Sequence, residues 1–504
     1  MTERPTTDRI GDTIDQPSAD RSGQMTGQRS ADGSRHMTGQ LFRVELRRMA
    51  SHPLVWGMAA LVLAVQLHLS WDQQPDLTVD PVHATGIAAC LAGALLVVAS
   101  LAVSRDGRHR MPELLAGLPG RAEVRTRAVL FAAVVVAVVG QALVVGGYLL
   151  VRALSGPAGG RLDVFEPLTA LGVGALAATL GVTVGRWVPW LIAGPVVVAG
   201  LGLLIFFNTN PGTWWLPVMQ THWMDWPDRP TGPHLVYVLA LAALAGLVAL
   251  LRHGRRPVAL VAAVVALAVA VPAGATAAAV RPVALFPTGR TLTIDDVDAR
   301  VREQYFGRGA YRCERREGVR YCALSDYASW IPLWAGVIAP MVRAVPPGAR
   351  DRVPPVKQYT STWWYTVEDR VAIAPMAWGA YDQRKLLAQG VALDIVGDFN
   401  TACDARGQAR MVVALWLMGQ ASAIVLPQES LNMDGRTAMR SGVGYGDSEV
   451  GYAKLLLQSP DARERVWTNW DTLMRPATTV EQALALLGLP QRYPITKPQG
   501  TPCR

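Results

Sequence analysis

The sequence predicts an α-helical transmembrane bundle of about seven spans, followed by a mainly α, mixed α/β domain outside the membrane. Three observations predict it. Of the 504 residues 51% are hydrophobic but only 7% aromatic, so the excess is Ala, Val and Leu. Before Val280 that excess forms runs close to the ~20 apolar residues a bilayer crossing needs. Arginines flank those runs asymmetrically, and four of the five cysteines, at 313, 322, 403 and 503, fall in the last third.

Residues 1–37 contain no Phe, Trp, Tyr or Val and are rich in Ser, Thr, Gly, Asp and Arg. Such a tail cannot offset its ordering entropy by burial and is expected to be disordered. It has no apolar stretch of the signal-peptide kind. Its repeated MTGQ, at Met25 and Met37, adds two candidate start sites to Met1. Residues 38–53 place Phe42, Leu46 and Met49 on one helical face and Arg43 and Arg47 on another. This segment reads as an interfacial amphipathic helix, or as a charged flank that stops the first span.

The spans are expected at 54–71, 82–103, 128–152, 168–186, 189–207, 234–251 and 258–280, so that 54–257 hold six and the last stands as a seventh. With the N-terminus inside, thirteen arginines between Arg43 and Arg256 fall on the cytoplasmic side. Only Arg152, Arg161 and Arg229 fall in the opposite loops. That is a strong positive-inside pattern, and an odd span count puts 281–504 outside. The fourth and fifth spans, joined by Trp187-Val188-Pro189, read as a tight hairpin rather than one long broken helix. The stretch from Asn208 to Pro233, with Trp214, Trp215, Trp223 and Trp226, reads as an interfacial anchor or as a pair of re-entrant helices.

In 281–504 the pattern predicts a strand-like Val283–Ile294 and a helix over 325–344. Further helices are expected over 386–399, 410–418, 449–457 and 461–474. A last helix is introduced by a capping box at Thr478-Thr479-Val480-Glu481 and stopped at Gly488. Cys313 and Cys322 bracket a short hairpin-like loop centred on Glu317-Gly318 and are expected to pair, which leaves Cys403 for Cys503 in an oxidising compartment. Cys90, within a span, reads as an inert core residue.

Several chemistries are missing. Neither a GxxxxGK phosphate loop, nor HExxH, nor GxSxG occurs, and all eight His precede Arg255. No enzyme activity, cofactor or metal is therefore expected, and the outer domain reads as a binding or gating module. The net charge of +9 comes almost wholly from Arg, much of it beside spans and without aromatic interleaving, so no nucleic acid is expected. The predicted spans contain no Asp or Glu. Only Gln66, His68, His83 and Gln141 could serve proton coupling there, which points to an external energy source.

Three local features carry a family resemblance. They are the amphipathic Glu45-Leu46-Arg47-Arg48 segment running into Pro53, the loop from Ser104 to Arg127 centred on Glu113-Leu114-Leu115-Ala116-Gly117-Leu118-Pro119-Gly120-Arg121, and the Trp- and Pro-rich stretch before the sixth span. Together residues 38–256 resemble the permease subunit of type-2 ABC exporters, with an appended C-terminal domain. The resemblance implies a connecting helix at 38–53 and a coupling segment carrying Arg110, Glu113, Leu114, Leu115, Leu118 and Arg121. It also implies a separate ATPase partner, a homodimer or pseudo-dimer in the bilayer, and export of an unidentified substrate. The competing reading is a membrane-anchored receptor or scaffold whose outer domain binds a ligand or partner.

Overall fold

The computed structural model describes residues 39–108, 122–208, 214–218, 229–254, 256–279, 299, 303, 307–358, 371–374, 378–379, 381–397, 403–422, 424, 426, 443–495 and 497–503. The N-terminal tail, the coupling segment, Trp223, Trp226 and the expected strand at Val283–Ile294 lie outside the described residues.

The apolar runs fold as helices. α1 (Gly39–Ala50) meets α2 (Pro53–Leu69) at a bend of 49°. Then come α3 (Asp80–Arg108), α4 (Ala122–Leu154), α5 (Phe165–Trp187), α6 (Ala193–Phe207), α7 (Thr231–Leu251) and α8 (Pro257–Ala279). Five of them, α3, α4, α5, α7 and α8, are long and apolar enough to cross a membrane, and the bent α1–α2 pair passes the same test taken together. α6, predicted to begin at 189, begins at Ala193 and has only 15 residues, about 22 Å of helix against a hydrocarbon core of about 30 Å.

Helix directions follow from the contacts. Thr85 Oγ1 donates to the Glu166 carbonyl at one end of the bundle, and Gly185 lies against the Ser100 backbone at the other, so α3 and α5 run side by side in the same sense. Gly194 then lies against Ser100, and Gly93 against Val198, so α6 turns back. The hairpin at 188–192 is thus the one the sequence suggested. The closest approach is between α5 and α3, where a Cβ at Gly181 would overlap the Leu96 carbonyl and one at Gly185 would overlap that of Ser100. Gly181-x-x-x-Gly185 removes side chains where two backbones meet, which is how small residues drive helix association without a hydrophobic force. Neutral polar groups hold the mid-depth: buried Gln141 donates to the Ala88 carbonyl at 3.0 Å.

Residues 311–503 have a separate core. β1 (Tyr311–Arg316) and β2 (Val319–Leu324) form a hairpin whose turn, Glu317 (φ 50°) and Gly318 (φ 84°), takes the left-handed backbone that two-residue hairpins favour. β3 (Val356–Gln358) and β4 (Ala372–Ala374) add in parallel, giving the order β1-β2-β3-β4. Against the sheet pack α9 (Ile331–Ala344) and α10 (Tyr381–Val396), with α11 (Ala409–Gln420) and then α12 (Asp447–Gln458) behind them in the same core. The predicted 325–344 helix opens as a 3-10 turn, Ser325–Trp330, and Pro332 sits in the first turn of α9, where a missing N–H costs nothing. The predicted helix over 461–474 is two, α13 (Ala462–Thr468) and α14 (Trp470–Leu473), parted at Asn469, whose side-chain amide donates to the Arg465 and Leu486 carbonyls. α15 (Val480–Leu487) is capped by Thr479 with Gln482, not Glu481, as the reciprocal partner, and Gly488 closes it at φ 62°.

Cys313 pairs with Cys322 directly across the hairpin, and Cys403 with Cys503. Cys90 departs from expectation. It is exposed on a face of α3 turned away from the other helices rather than in the core.

Candidate functional site

Two sites hold charge where apolar helices end, one at each end of the bundle. At the arginine-rich end α1 lays its apolar face on the bundle: Met49 is 3% exposed, with Phe42 and Leu46 partly buried in the same cluster. Trp56 Nε1 donates to the Ala50 carbonyl across the bend. Glu45, flanking that same bundle-facing side, accepts from Arg105 Nη2 at 3.1 Å, tying α1 to the last turns of α3. The segment carrying Arg110, Glu113, Leu114, Leu115, Leu118 and Arg121 leaves from that point, and these six residues lie outside the described ones. Nearby, Glu123 on α4 pairs with Arg127 and with Arg256 beyond α7, and Thr126 Oγ1 meets His253 Nε2 at 2.7 Å.

The other end, on which the C-terminal domain sits, is more deeply buried. Arg152 at the end of α4 pairs with Asp80 at the start of α3, Nε to Oδ2 at 2.9 Å. Its Nη1 donates to the Ser70 and Gln73 carbonyls and its Nη2 to that of Gln74. One guanidinium therefore joins the end of α2, the loop after it, α3 and α4. Tyr148 adds a bond from its hydroxyl to Asp80 Oδ1 at 3.2 Å. Alongside, Arg229 lies 3.6 Å from Glu166 on α5 and donates to the Thr78 carbonyl. The predicted spans held no acid, but the observed helices start earlier and bring Asp80, Glu123 and Glu166 inside their first turns, each against an arginine. Those arginines neutralise charge that an apolar surrounding would not tolerate alone.

Asp76 belongs to the same cluster without a cation. It is 6% exposed. Its Oδ1 accepts from the Thr78 N–H at 2.9 Å and from the Tyr327 hydroxyl at 3.1 Å, the second partner reaching in from the C-terminal domain. Burial pushes its pKa up to about 7, the Asp80 carboxylate adds to the rise, and the bonds from Thr78, Tyr327 and Val79 only partly offset it.

Around Tyr327 the domain docks. Gly160 N–H donates to the Asp326 carbonyl at 2.8 Å, Ser329 Oγ to that of Ala158 at 2.7 Å and Trp330 Nε1 to that of Pro157 at 3.0 Å. The Tyr327 and Trp330 rings cover Gly159 so closely that a Cβ there would enter both. A second contact comes from the loop before α10, where Gln74 N–H donates to the Trp378 carbonyl at 2.6 Å. There Gly379, at φ 121°, backs onto the Asp72–Gln74 backbone, a conformation and an approach that both require glycine.

The segment before α7 enters the bundle beside this cluster. Trp214, Leu216 and Val218 are buried, the last against Ala92, Val173 and Val238, and His234 Nε2 meets the Leu216 carbonyl at 2.8 Å. Residues 214–218 run as turns and bends. The interfacial-anchor reading fits exposed Trp215; Trp214 is instead an internal plug. Of the expected polar residues, His83 is exposed beside the charge cluster, and Gln66 and Gln141 are buried within the helices.

Among the described residues no three His, Cys, Asp or Glu converge as a metal site; Asp80 is occupied by Arg152 and Asp76 by hydrogen-bond donors. Sequence reasoning counted Arg152, Arg161 and Arg229 only as topology markers. The missed signal was a lone Arg at the end of an apolar span on the arginine-poor side, which calls for a carboxylate such as Asp80 one span away. Comparison with known proteins finds no matching family, no matching curated relative and no matching solved structure.

Proposed function

We propose that this chain is the membrane-spanning subunit of an ABC-type exporter, moving an unidentified substrate across a bacterial plasma membrane with energy from a separate ATPase. In this reading α2 to α8 are seven crossings. The N-terminus and the arginine-rich end are cytoplasmic, and the disulfide-bearing domain is extracytoplasmic. The alternating helix directions, the arginine asymmetry and the two disulfides support that orientation.

The observation that carries the reading is the Glu45–Arg105 pair at 3.1 Å. It fastens an interfacial helix to the root of the loop that resembles the family's ATPase-docking segment, so that a push on either would move both. Backbone contact at Gly181 and Gly185 closes the space between α3 and α5; in this reading the pathway runs between two copies, as the family resemblance implies. The C-terminal domain acts as a binding or gating module rather than an enzyme.

The test is affinity isolation of the tagged protein from native membranes. An ATPase should come with it and should be lost from the Leu114→Asp/Leu118→Asp variant while insertion is unchanged. An ATPase absent from the wild-type complex would replace this reading by the receptor or scaffold one. That second reading is favoured by one observation of its own, the hydrogen-bonded seating of the C-terminal domain on the loops at 72–80 and 157–160.

A further inference from the structure

We propose that the junction between the C-terminal domain and the helix bundle is a proton-operated latch, closed when Asp76 carries a proton and loosened when it ionises. The inference rests on the junction's geometry and not on the exporter reading.

Asp76 is the group on which the two parts of the molecule converge. Its own segment supplies the Thr78 N–H, and the Tyr327 hydroxyl arrives from 251 residues away. Among the described residues, the charged and titratable groups that face it are these. From α3 there are Asp80, whose Oδ2 accepts the Asp76 N–H at 3.0 Å, and His83, which is exposed. From α4 come Arg152 and Tyr148, both committed to Asp80. Glu166 and Arg229 occupy each other, Arg161 is exposed and Asp163 half-buried in the next loop, where Asp163 accepts from the Phe165 N–H, and Asp72 is exposed on Asp76's own loop. From the C-terminal domain come Tyr327 and Asp326, the latter engaged through its carbonyl with Gly160. Arg152 and Arg229 are thus spent on neighbouring carboxylates, Arg161 is turned out to solvent, and among the described residues Asp76 is left with neutral donors and one like charge.

A second carboxylate charge in this dry corner can be relieved in one way that the architecture allows. Tyr327 and Trp330 form the lid over it, packed on Gly159 with their rings 4.9 Å apart, and lifting that lid admits water. The docked state holds the proton more tightly than the lifted state, because the burial that is the main cause of the raised pKa is relieved when the lid lifts, while Asp80 stays beside Asp76 in both states. Docking is therefore favoured at low pH. It weakens as pH rises from the ordinary carboxylate value of 3.8 and levels off above about 7, by at most about tenfold per pH unit for a single proton.

The experiment is amide hydrogen exchange of the full-length protein in lipid nanodiscs between pH 4.5 and 8, corrected for intrinsic exchange. Protection of Gln74 and Gly160, whose N–H groups donate across the junction, should fall severalfold or more across that range in the wild type. Asp76→Asn, a neutral isostere, should stay at the acid-side level throughout. Tyr327→Phe should keep the pH dependence and move its midpoint upward, since it removes a bond that favours the ionised form. A wild-type junction equally protected at both ends of the range would overturn the latch, as would a pH dependence that survives in Asp76→Asn. Should that variant fail to fold, infrared difference spectra of the wild type decide. A protonated, buried carboxyl band lost between pH 4.5 and 8 supports the latch, and no such band overturns it.

Discussion

Arg152 and Asp80 stand 72 residues apart in the chain and meet as an ion pair at 2.9 Å, with side chains only 4% and 5% exposed. Because Arg152 also binds three carbonyls of residues 70–74, the pair is a knot for three helix ends. Arg152→Met leaves Asp80 buried and unpaired, and should cost ~3–5 kcal/mol. The double variant Arg152→Met/Asp80→Asn should recover part of that loss. Thermal unfolding in detergent, followed by Trp fluorescence, measures both.

Gly181→Ala is a one-carbon change with a large expected effect. The new Cβ meets the Leu96 carbonyl, and backbone, unlike the end of a flexible side chain, cannot turn aside. A loss of ~1–3 kcal/mol is expected, in the range of overpacked cores. Gly57→Ala, in open space on α2, is the control and should be neutral or slightly stabilising. Melting curves from size-exclusion chromatography of heated samples would separate the two.

The two disulfides should differ in weight. Replacing Cys403 and Cys503 by Ser opens a loop with a separation of 100 residues, for which the chain-entropy relation gives about 4.7 kcal/mol. The Cys313–Cys322 loop, with a separation of 9, gives about 2.7 kcal/mol by the same relation. Limited proteolysis should release the segment after Tyr493 in the first variant and leave it protected in the second.

Asp404 should respond to pH with the opposite sign to Asp76. Burial pushes its pKa up, but the N–H groups of Gln499, Arg406 and Gly500, with the Arg406 guanidinium, outweigh burial and hold it below its ordinary value. Its contribution is present at neutral pH and is lost as the pH falls through that depressed value. Acidification to pH 3 and below should free residues 499–503 in hydrogen exchange, and Asp404→Asn should free them already at pH 7.

What the sequence made legible was set by short-range physics. Apolar runs gave α2 to α8 with ends displaced by up to six residues, as at Ala122 against a predicted 128, the Phe42/Leu46/Met49 face of α1 packs as its spacing required, and the cysteine pairs followed from Glu317-Gly318 and elimination. What stayed hidden depends on partners far along the chain. No local rule marks Asp76, because its significance comes from Tyr327. The Asp80–Arg152 pair escaped because span boundaries drawn by hydropathy exclude charged first turns. The break at Asn469 escaped for a related reason: its side chain reaches Leu486, a contact absent from the local pattern. Gly181-x-x-x-Gly185 could have been read directly, as a place where two helices touch.

The hydrogen bonds of Asp404, Gly407 and Gln408 reach forward to Glu449, Thr501 and Cys503, and α11 begins on the Thr478 carbonyl. The centre of this domain is thus assembled from stretches that leave the ribosome far apart in time. Contacts of such long sequence separation are slow to form, so the apolar helices are complete while this domain still waits for residues 444–503. During that wait Cys403 is a lone thiol. The β1–β2 hairpin, being local, is expected to close first and pair Cys313 with Cys322, which would leave Cys403 as the domain's remaining partner for Cys503.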